Sequence, residues 1–95
     1  MKPVVIFGAG TIAKLAWHYF KHEAQYDVAS FVVDDSLLTK NTFCGLPVIT
    51  DSQFLKQWHP ESCKMFIALG YQNSNKLRKN IFNKYKNYGY DFVSC

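Results

Sequence analysis

Cysteine is scarce: Cys44, Cys63 and Cys95 make an odd set with no Cys-x-x-Cys pair and no neighbouring ligand spacing, so neither a disulfide framework nor a zinc site is indicated. The three read as free thiols. Also missing is any apolar run near the roughly 18 residues that a bilayer span requires, and one lysine directly ahead of an apolar strand does not make a signal peptide. A soluble, cytoplasmic chain with no membrane partner is expected. Low hydrophobicity, the mark of disorder, is absent too: 48% of the residues are hydrophobic and 19% charged, which suits a packed core. The length of 95 residues holds one domain and excludes a binding domain with a separate catalytic one. No nucleophile–base pair and no acid–base dyad stands out.

The net charge of +4 is mild, and much of it lies on Lys76, Arg78, Lys79, Lys84 and Lys86. A basic helix can track nucleic acid. Here, however, the charges alternate with Leu77, Ile81, Phe82, Tyr85 and Tyr88 at the spacing of a helix packed on a sheet. They read as a solvated face, and no nucleic-acid partner is expected. His18 and His22 stand four apart on one helix face, but no cysteine or carboxylate pattern completes a metal site. His59, in Trp58-His59-Pro60-Glu61, reads as a helix-end residue favoured by the dipole.

What is present is a glycine turn. Val4, Val5, Ile6 and Phe7 form an apolar strand that runs into Gly8-Ala9-Gly10-Thr11-Ile12-Ala13, a G-x-G-x-x-A pattern that opens a helix. The first glycine permits the tight turn. The second lets a pyrophosphate approach the backbone, and the small third residue lets helix and strand pack closely. Free N–H groups and the positive end of the helix dipole then face the anion. Lys14, one turn on, either assists a phosphate or is solvated. Asp34 and Asp35 follow where dinucleotide folds place the acid that accepts a ribose hydroxyl, although Asp pairs are also ordinary turn formers.

Strands and helices alternate along the chain. Residues 3–7 form a strand; residues 11–22 form a helix with Ile12, Leu15, Ala16, Tyr19 and Phe20 on its apolar stripe; residues 28–33 form a second strand. A polar stretch, 36–42, precedes a short third strand at 46–49. Thr50 or Asp51 caps a helix carrying Phe54, Leu55 and Trp58, closed by Pro60. A fourth strand at 65–69 ends in Gly70. Asn73 or Ser74 caps the basic helix, which stops near Gly89, and residues 91–94 form a fifth strand. The expectation is an α/β fold: a Rossmann-like, five-stranded parallel sheet, order 3-2-1-4-5, with the first helix on one face and the other two on the opposite face. The winding reverses between strands 1 and 4. Ligands of open α/β sheets bind at such a reversal, which gathers residues 8–12, Asp34, Asp35 and residues 70–75 around one pocket.

These residues also carry a resemblance. Gly8-Ala9-Gly10 followed by Ala13-Lys14, Val32-Val33-Asp34-Asp35, Gly45-Leu46-Pro47-Val48, Ile67-Ala68-Leu69-Gly70, Asn75-Lys76-Leu77-Arg78 and Gly89-Tyr90-Asp91-Phe92-Val93 together resemble one domain over the whole chain. It is the N-terminal domain of bacterial sugar O- and N-acyltransferases of the sialic-acid O-acetyltransferase type. The resemblance implies that this domain binds a nucleotide-linked sugar for surface-polysaccharide or glycan synthesis. It also implies that a following left-handed β-helix of hexapeptide repeats binds acetyl-CoA or another acyl-CoA, carries the catalytic histidine and forms homotrimers. That second domain is missing from the 95 residues, which are therefore expected to be non-catalytic alone. By the same resemblance Gly8, Gly10, Thr11 and Ile12 face the diphosphate of a UDP- or dTDP-type sugar, Asp34 or Asp35 binds ribose or base, and Gly70, Asn75 and Arg78 line or brace the pocket. The family's turn reads Gly-Ala-Gly-Gly-His-Ala-Lys, and Thr11 and Ile12 replace its third glycine and its histidine. Residues 71–74 make the fourth-strand loop about two residues longer than usual. Two other readings of the same turn stay open: an NAD(P)-binding Rossmann fragment of an oxidoreductase or sensor, and a non-catalytic interaction module.

Overall fold

The computed structural model describes residues 2–38, 40–69 and 75–93. Within them the chain order is β1 (Val4–Phe7), α1 (Thr11–His22), β2 (Val28–Val33), β3 (Thr42–Phe43), β4 (Leu46–Thr50), α2 (Asp51–Gln57), β5 (Lys64–Ile67), α3 (Asn75–Asn87) and β6 (Asp91–Phe92). Single turns of 3-10 helix lie at Asp35–Leu37 and Pro60–Ser62. The α/β class is as expected, and α1 and β2 have the expected bounds.

The sheet runs β3-β4-β2-β1-β5-β6. From β4 to β6 all neighbours pair in parallel, so these five strands stand in the expected order 3-2-1-4-5. The strand count is corrected to six. The added strand, β3, pairs antiparallel with β4, Thr42 opposite Pro47 and Phe43 opposite Leu46. The turn between them holds Cys44 at φ 54° and Gly45 at φ 76°. Two successive left-handed residues make the tight hairpin whose twist suits flanking strands. Phe43 packs its ring edge-on to Phe31 at 5.0 Å, which anchors this edge of the sheet.

Alternation along the parallel strands divides the core in two. Val4, Ile6, Phe31, Val33 and Val48 face α1, meeting Ala13, Ala16 and Phe20. Val5, Phe7, Val32, Met65 and Ile67 face the other way and meet Phe54 of α2 and Tyr85 of α3. Helices thus cover both faces, one against two, as the reversal of winding requires. On the two-helix face the rings interlock: Phe54 lies 5.7 Å from Tyr85 and 5.1 Å from Tyr90, and Tyr85 lies 5.9 Å from Phe7. Burying such side chains supplies about 1.5–3 kcal/mol each.

Polar groups drawn into this core are paired. The Tyr85 hydroxyl donates to Asp51 and the Tyr90 hydroxyl to the Trp58 carbonyl. Burial raises the pKa of both phenols, so both stay protonated as donors. The buried Ser30 hydroxyl donates to the Pro47 carbonyl at 3.0 Å. Thr50, not Asp51, caps α2 through a capping box: Gln53 N–H donates to Thr50 Oγ1 (3.2 Å) and Thr50 N–H to Gln53 Oε1 (3.0 Å). His59 sits beyond the end of α2 and precedes the 3-10 turn at Pro60–Ser62. Asn73 and Ser74, the expected caps of α3, lie outside the described residues. No described helix is long and apolar enough to cross a membrane.

Candidate functional site

The order of the parallel strands reverses at β1, and both its neighbours grip the turn that follows it. Gly8 N–H donates to the Val32 carbonyl at 2.8 Å, and Ala68 N–H donates to the Phe7 carbonyl at 2.8 Å. Gly8 has φ +125°, and a Cβ there would stand 2.5 Å from the Ala68 carbonyl oxygen. The fold itself demands glycine at this point. Gly10 is different. Its backbone, at φ −108° and ψ −159°, is extended and open to any residue, and a Cβ on it would meet nothing within 4 Å.

Gly10 is also the N-cap of α1, with no side chain capping the helix and no acidic residue in its first turn. The Lys14 N–H makes the first intrahelical bond, to Gly10 O at 3.0 Å. The amides of Thr11, Ile12 and Ala13 therefore present the positive helix end to the open space above Gly10.

The acidic pair follows β2. Asp34 begins the 3-10 turn, its Oδ1 accepting from Ser36 N–H (3.0 Å) and from Ser36 Oγ–H (2.8 Å). Among the described residues its Oδ2 accepts no hydrogen bond. Asp35 has both oxygens engaged: Oδ1 accepts from Ser52 N–H at 3.1 Å, and Oδ2 from the Ser52 hydroxyl. The backbone N–H of Ser36 foremost holds Asp34 below the usual carboxylate pKa, and the Ser52 hydroxyl foremost does so for Asp35. Both remain ionised at neutral pH.

Beside this turn lies a cavity of about 210 Å³ walled by Phe7, Leu37, Leu69, Leu77 and Ile81. Asp34, Asp51, Lys84 and Tyr85 supply its polar lining. Asp51 is already committed, accepting from Lys84 Nζ at 2.6 Å and from the Tyr85 hydroxyl. Leu37 lines the cavity and is 66% exposed.

The structure brings Gly8, Gly10, Thr11, Ile12, Asp34 and Asp35 to the same end of the sheet, across the β1–β2 junction. Gly70 lies outside the described residues. Asn75 is exposed at the start of α3. Arg78 is turned away from the cavity that holds Asp34. It lines a separate groove of about 520 Å³ with Phe66, Phe82 and Phe92, on the other flank of α3 from Leu77 and Ile81. His18 and His22 stack at 4.4 Å on the exposed side of α1, and no group of three metal-binding side chains occurs among the described residues. Sequence reasoning did not single out Leu37, Leu69 or Lys84 as pocket residues.

These features define a Rossmann-like α/β domain with a glycine turn and acidic pair at its topological switch point. The chain belongs to the PglD N-terminal domain family, which matches residues 3–85. A structure of a variant of perosamine N-acetyltransferase from Caulobacter crescentus, in complex with CoA and GDP-perosamine, is similar with a TM-score of 0.74 and 26% identity. It is covered over 40% of its length by 95% of this chain. The acetyltransferase domain of PglB from Neisseria gonorrhoeae, in complex with acetyl coenzyme A, shares the fold at TM-score 0.71 and 24% identity, with 94% of this chain covering 40% of that one. The chain thus spans about two fifths of the solved structures it matches. No curated protein matches the sequence.

Proposed function

We propose that this chain is the substrate-binding N-terminal domain of an acyltransferase that acylates a nucleotide-linked sugar for glycan or surface-polysaccharide synthesis. Its substrate is a UDP- or dTDP-type sugar. The diphosphate lies over Gly10 against the amides of Thr11 and Ile12, and Asp34 or Asp35 meets the nucleoside. The transfer step belongs to a further domain, a left-handed β-helix that binds acetyl-CoA or another acyl-CoA and assembles a cytoplasmic homotrimer. The 95 residues alone bind and do not catalyse.

One observation carries the binding reading: Gly10. Its conformation and surroundings would accept a side chain, yet the position is glycine and faces an uncapped helix end. An anion drawn close to the backbone accounts for that. Family membership and the nucleotide sugar in the Caulobacter enzyme's structure support the same reading.

An NMR titration tests it. UDP-N-acetylglucosamine and a dTDP-sugar are expected to shift the amides of residues 8–12, 34 and 35 with weak affinity, while NAD at equal concentration shifts them less. NAD requires room for a second nucleoside beyond the switch point, and a sheet this small offers little surface there. Tighter binding of NAD at the same amides replaces the acyltransferase reading with a dinucleotide one. Absence of shifts with every ligand removes nucleotide binding altogether.

A further inference from the structure

A second cavity, of about 190 Å³, opens at the other end of the sheet from Gly10 and Asp34, where β2 begins at Val28 and β4 at Leu46. Trp17 and Lys21, in the second half of α1, form one wall, and Tyr26, Asp27 and Cys44 complete the lining. The Lys21 ammonium rests 5.1 Å from the centre of the Trp17 ring. Lys21 and Asp27 thus bring opposite charges to one cavity, yet among the described residues neither side chain belongs to an ion pair or a hydrogen bond. The backbone around the cavity is constrained as well. Gln25 at φ 57° and Cys44 at φ 54° are the only non-glycine residues with a left-handed backbone among those described; one adjoins Tyr26 and the other lines the cavity. Such conformations cost free energy, persist where the surroundings impose them, and gather at ligand clamps.

Size, walls and charge select the occupant together. At about 190 Å³ the cavity is smaller than the roughly 300–1,000 Å³ of pockets that enclose a whole drug-sized ligand, and suits a group the size of one side chain. Val28, Leu46 and the rings of Trp17 and Tyr26 make that group apolar, since the hydroxyls of a sugar would find few partners against them. The two charges decide the rest. A phosphate is repelled by Asp27 and a simple amine by Lys21, and the two side chains stand too far apart to pair with each other. A small ligand that carries a carboxylate and an ammonium on one carbon answers both.

We propose that this cavity binds a free α-amino acid with an apolar or aromatic side chain, Lys21 donating to its carboxylate and Asp27 accepting from its ammonium group. The side chain lies between the Trp17 and Tyr26 rings and the starts of β2 and β4. This site and the glycine turn stand at opposite ends of the sheet, so one can be empty or absent without the other.

The probes are L-phenylalanine, hydrocinnamate, which lacks the ammonium, and phenethylamine, which lacks the carboxylate, each titrated by NMR. The Trp17 indole N–H and the amides of residues 26–28 and 44–46 report on the cavity, and the Trp58 indole, packed on the opposite face of the sheet, is the internal reference. L-Phenylalanine is expected to bind weakly but severalfold more tightly than either analogue, since an exposed charge pair contributes up to about fivefold. Asp27→Asn should bring L-phenylalanine down to the affinity of hydrocinnamate, and Lys21→Gln down to that of phenethylamine. Both side chains are exposed, so both variants should melt with the parent. A Trp17 indole signal unmoved by millimolar L-phenylalanine overturns the proposal. Equal affinities for the three probes, the mark of apolar adhesion alone, also overturn it, as does a preference for the amino acid that survives both substitutions. Shifts confined to residues 8–12, 34 and 35 place the amino acid at the glycine turn and refute the assignment to this cavity.

Discussion

Replacing Gly8 and Gly10 separately by alanine divides the turn into the part the fold needs and the part a ligand needs. At Gly8 an alanine must hold φ +125°, a sparsely populated region that costs about 1–3 kcal/mol. Its Cβ must also clear the Ala68 carbonyl oxygen, 2.5 Å away and part of the backbone, so the ends of β1 and β5 have to separate. That puts at risk the bonds from Gly8 to Val32 and from Ala68 to Phe7, about 0.5–1.5 kcal/mol apiece. The total is about 2–6 kcal/mol, a large part of the roughly 5–15 kcal/mol that holds such a domain together. At about 4–8 °C per kcal/mol for a domain of this size, Tm should fall by about 8–48 °C. At Gly10 the gain from restricting the unfolded chain, about 0.4–1 kcal/mol, offsets the loss of a favoured N-cap residue, about 0.5–1 kcal/mol. Gly10→Ala should therefore melt within about 8 °C of the parent. Gly10→Val should remain folded and lose nucleotide binding, because its branches fill the space above the helix end. Circular dichroism melts and calorimetric titration with UDP-N-acetylglucosamine read both arms. If Gly10→Ala melts as low as Gly8→Ala, the space above Gly10 is not open. If folded Gly10→Val binds as the parent does, no phosphate lies at this turn.

Acid should weaken the fold through the same acids. Asp34 and Asp35 have folded pKa values below their unfolded ones, so their stabilisation is fully present above the ordinary carboxylate range near pH 4 and is lost as the pH falls through the depressed folded values. Thermal melts from pH 6 down to pH 2.5 should show Tm falling below about pH 4, with a shallower fall in Asp35→Asn, and an unchanged slope in that variant would mean the Ser52 bonds are not formed in solution. The cysteines should differ in reactivity. Burial pushes the Cys63 thiol up to about 11, whereas Cys44 is half-exposed, so at pH 8 a thiol reagent should modify Cys44 readily and Cys63 only as fast as the domain unfolds. Mass spectrometry of the peptides distinguishes the two, and equal rates would contradict the packing around Cys63.

Where one physical signal dominated, the sequence was legible. The helical spacing of apolar residues in α1 and the mostly apolar run of β2, closed by the acidic pair, gave those two elements their bounds, α1 burying one face and β2 both. β3 was illegible because only two residues pair, and their turn uses Cys44 in a left-handed conformation where Asn, Asp or Gly would have announced a hairpin. The cavity was illegible for a different reason. Leu77 and Ile81 fall on the apolar stripe of α3, and a stripe does not distinguish a side chain pressed on the sheet from one walling an empty space. Leu37 was hidden in a polar stretch. Arg78 shows the limit of spacing: one residue beyond Leu77, it rotates to the opposite flank of the helix and into another groove.

The motif that first marks this chain is a set of pairs, two glycines and two aspartates, and a pattern search treats the members of each pair alike. The structure does not. Gly8 is consumed by the fold, held by its left-handed φ and the Ala68 carbonyl, while Gly10 has neither a left-handed φ nor a close contact and serves the fold only as the N-cap of α1. Asp35 is consumed by Ser52, while among the described residues Asp34 keeps one oxygen without a hydrogen bond beside a partly apolar cavity. Binding capacity resides in what the fold leaves unspent. A residue whose donors, acceptors and space are all used internally adds stability and can only lose it on mutation, whereas one with spare capacity can change affinity at little cost to the fold. Substitutions at Gly8 and Asp35 should therefore move Tm, and substitutions at Gly10 and Asp34 should move Kd.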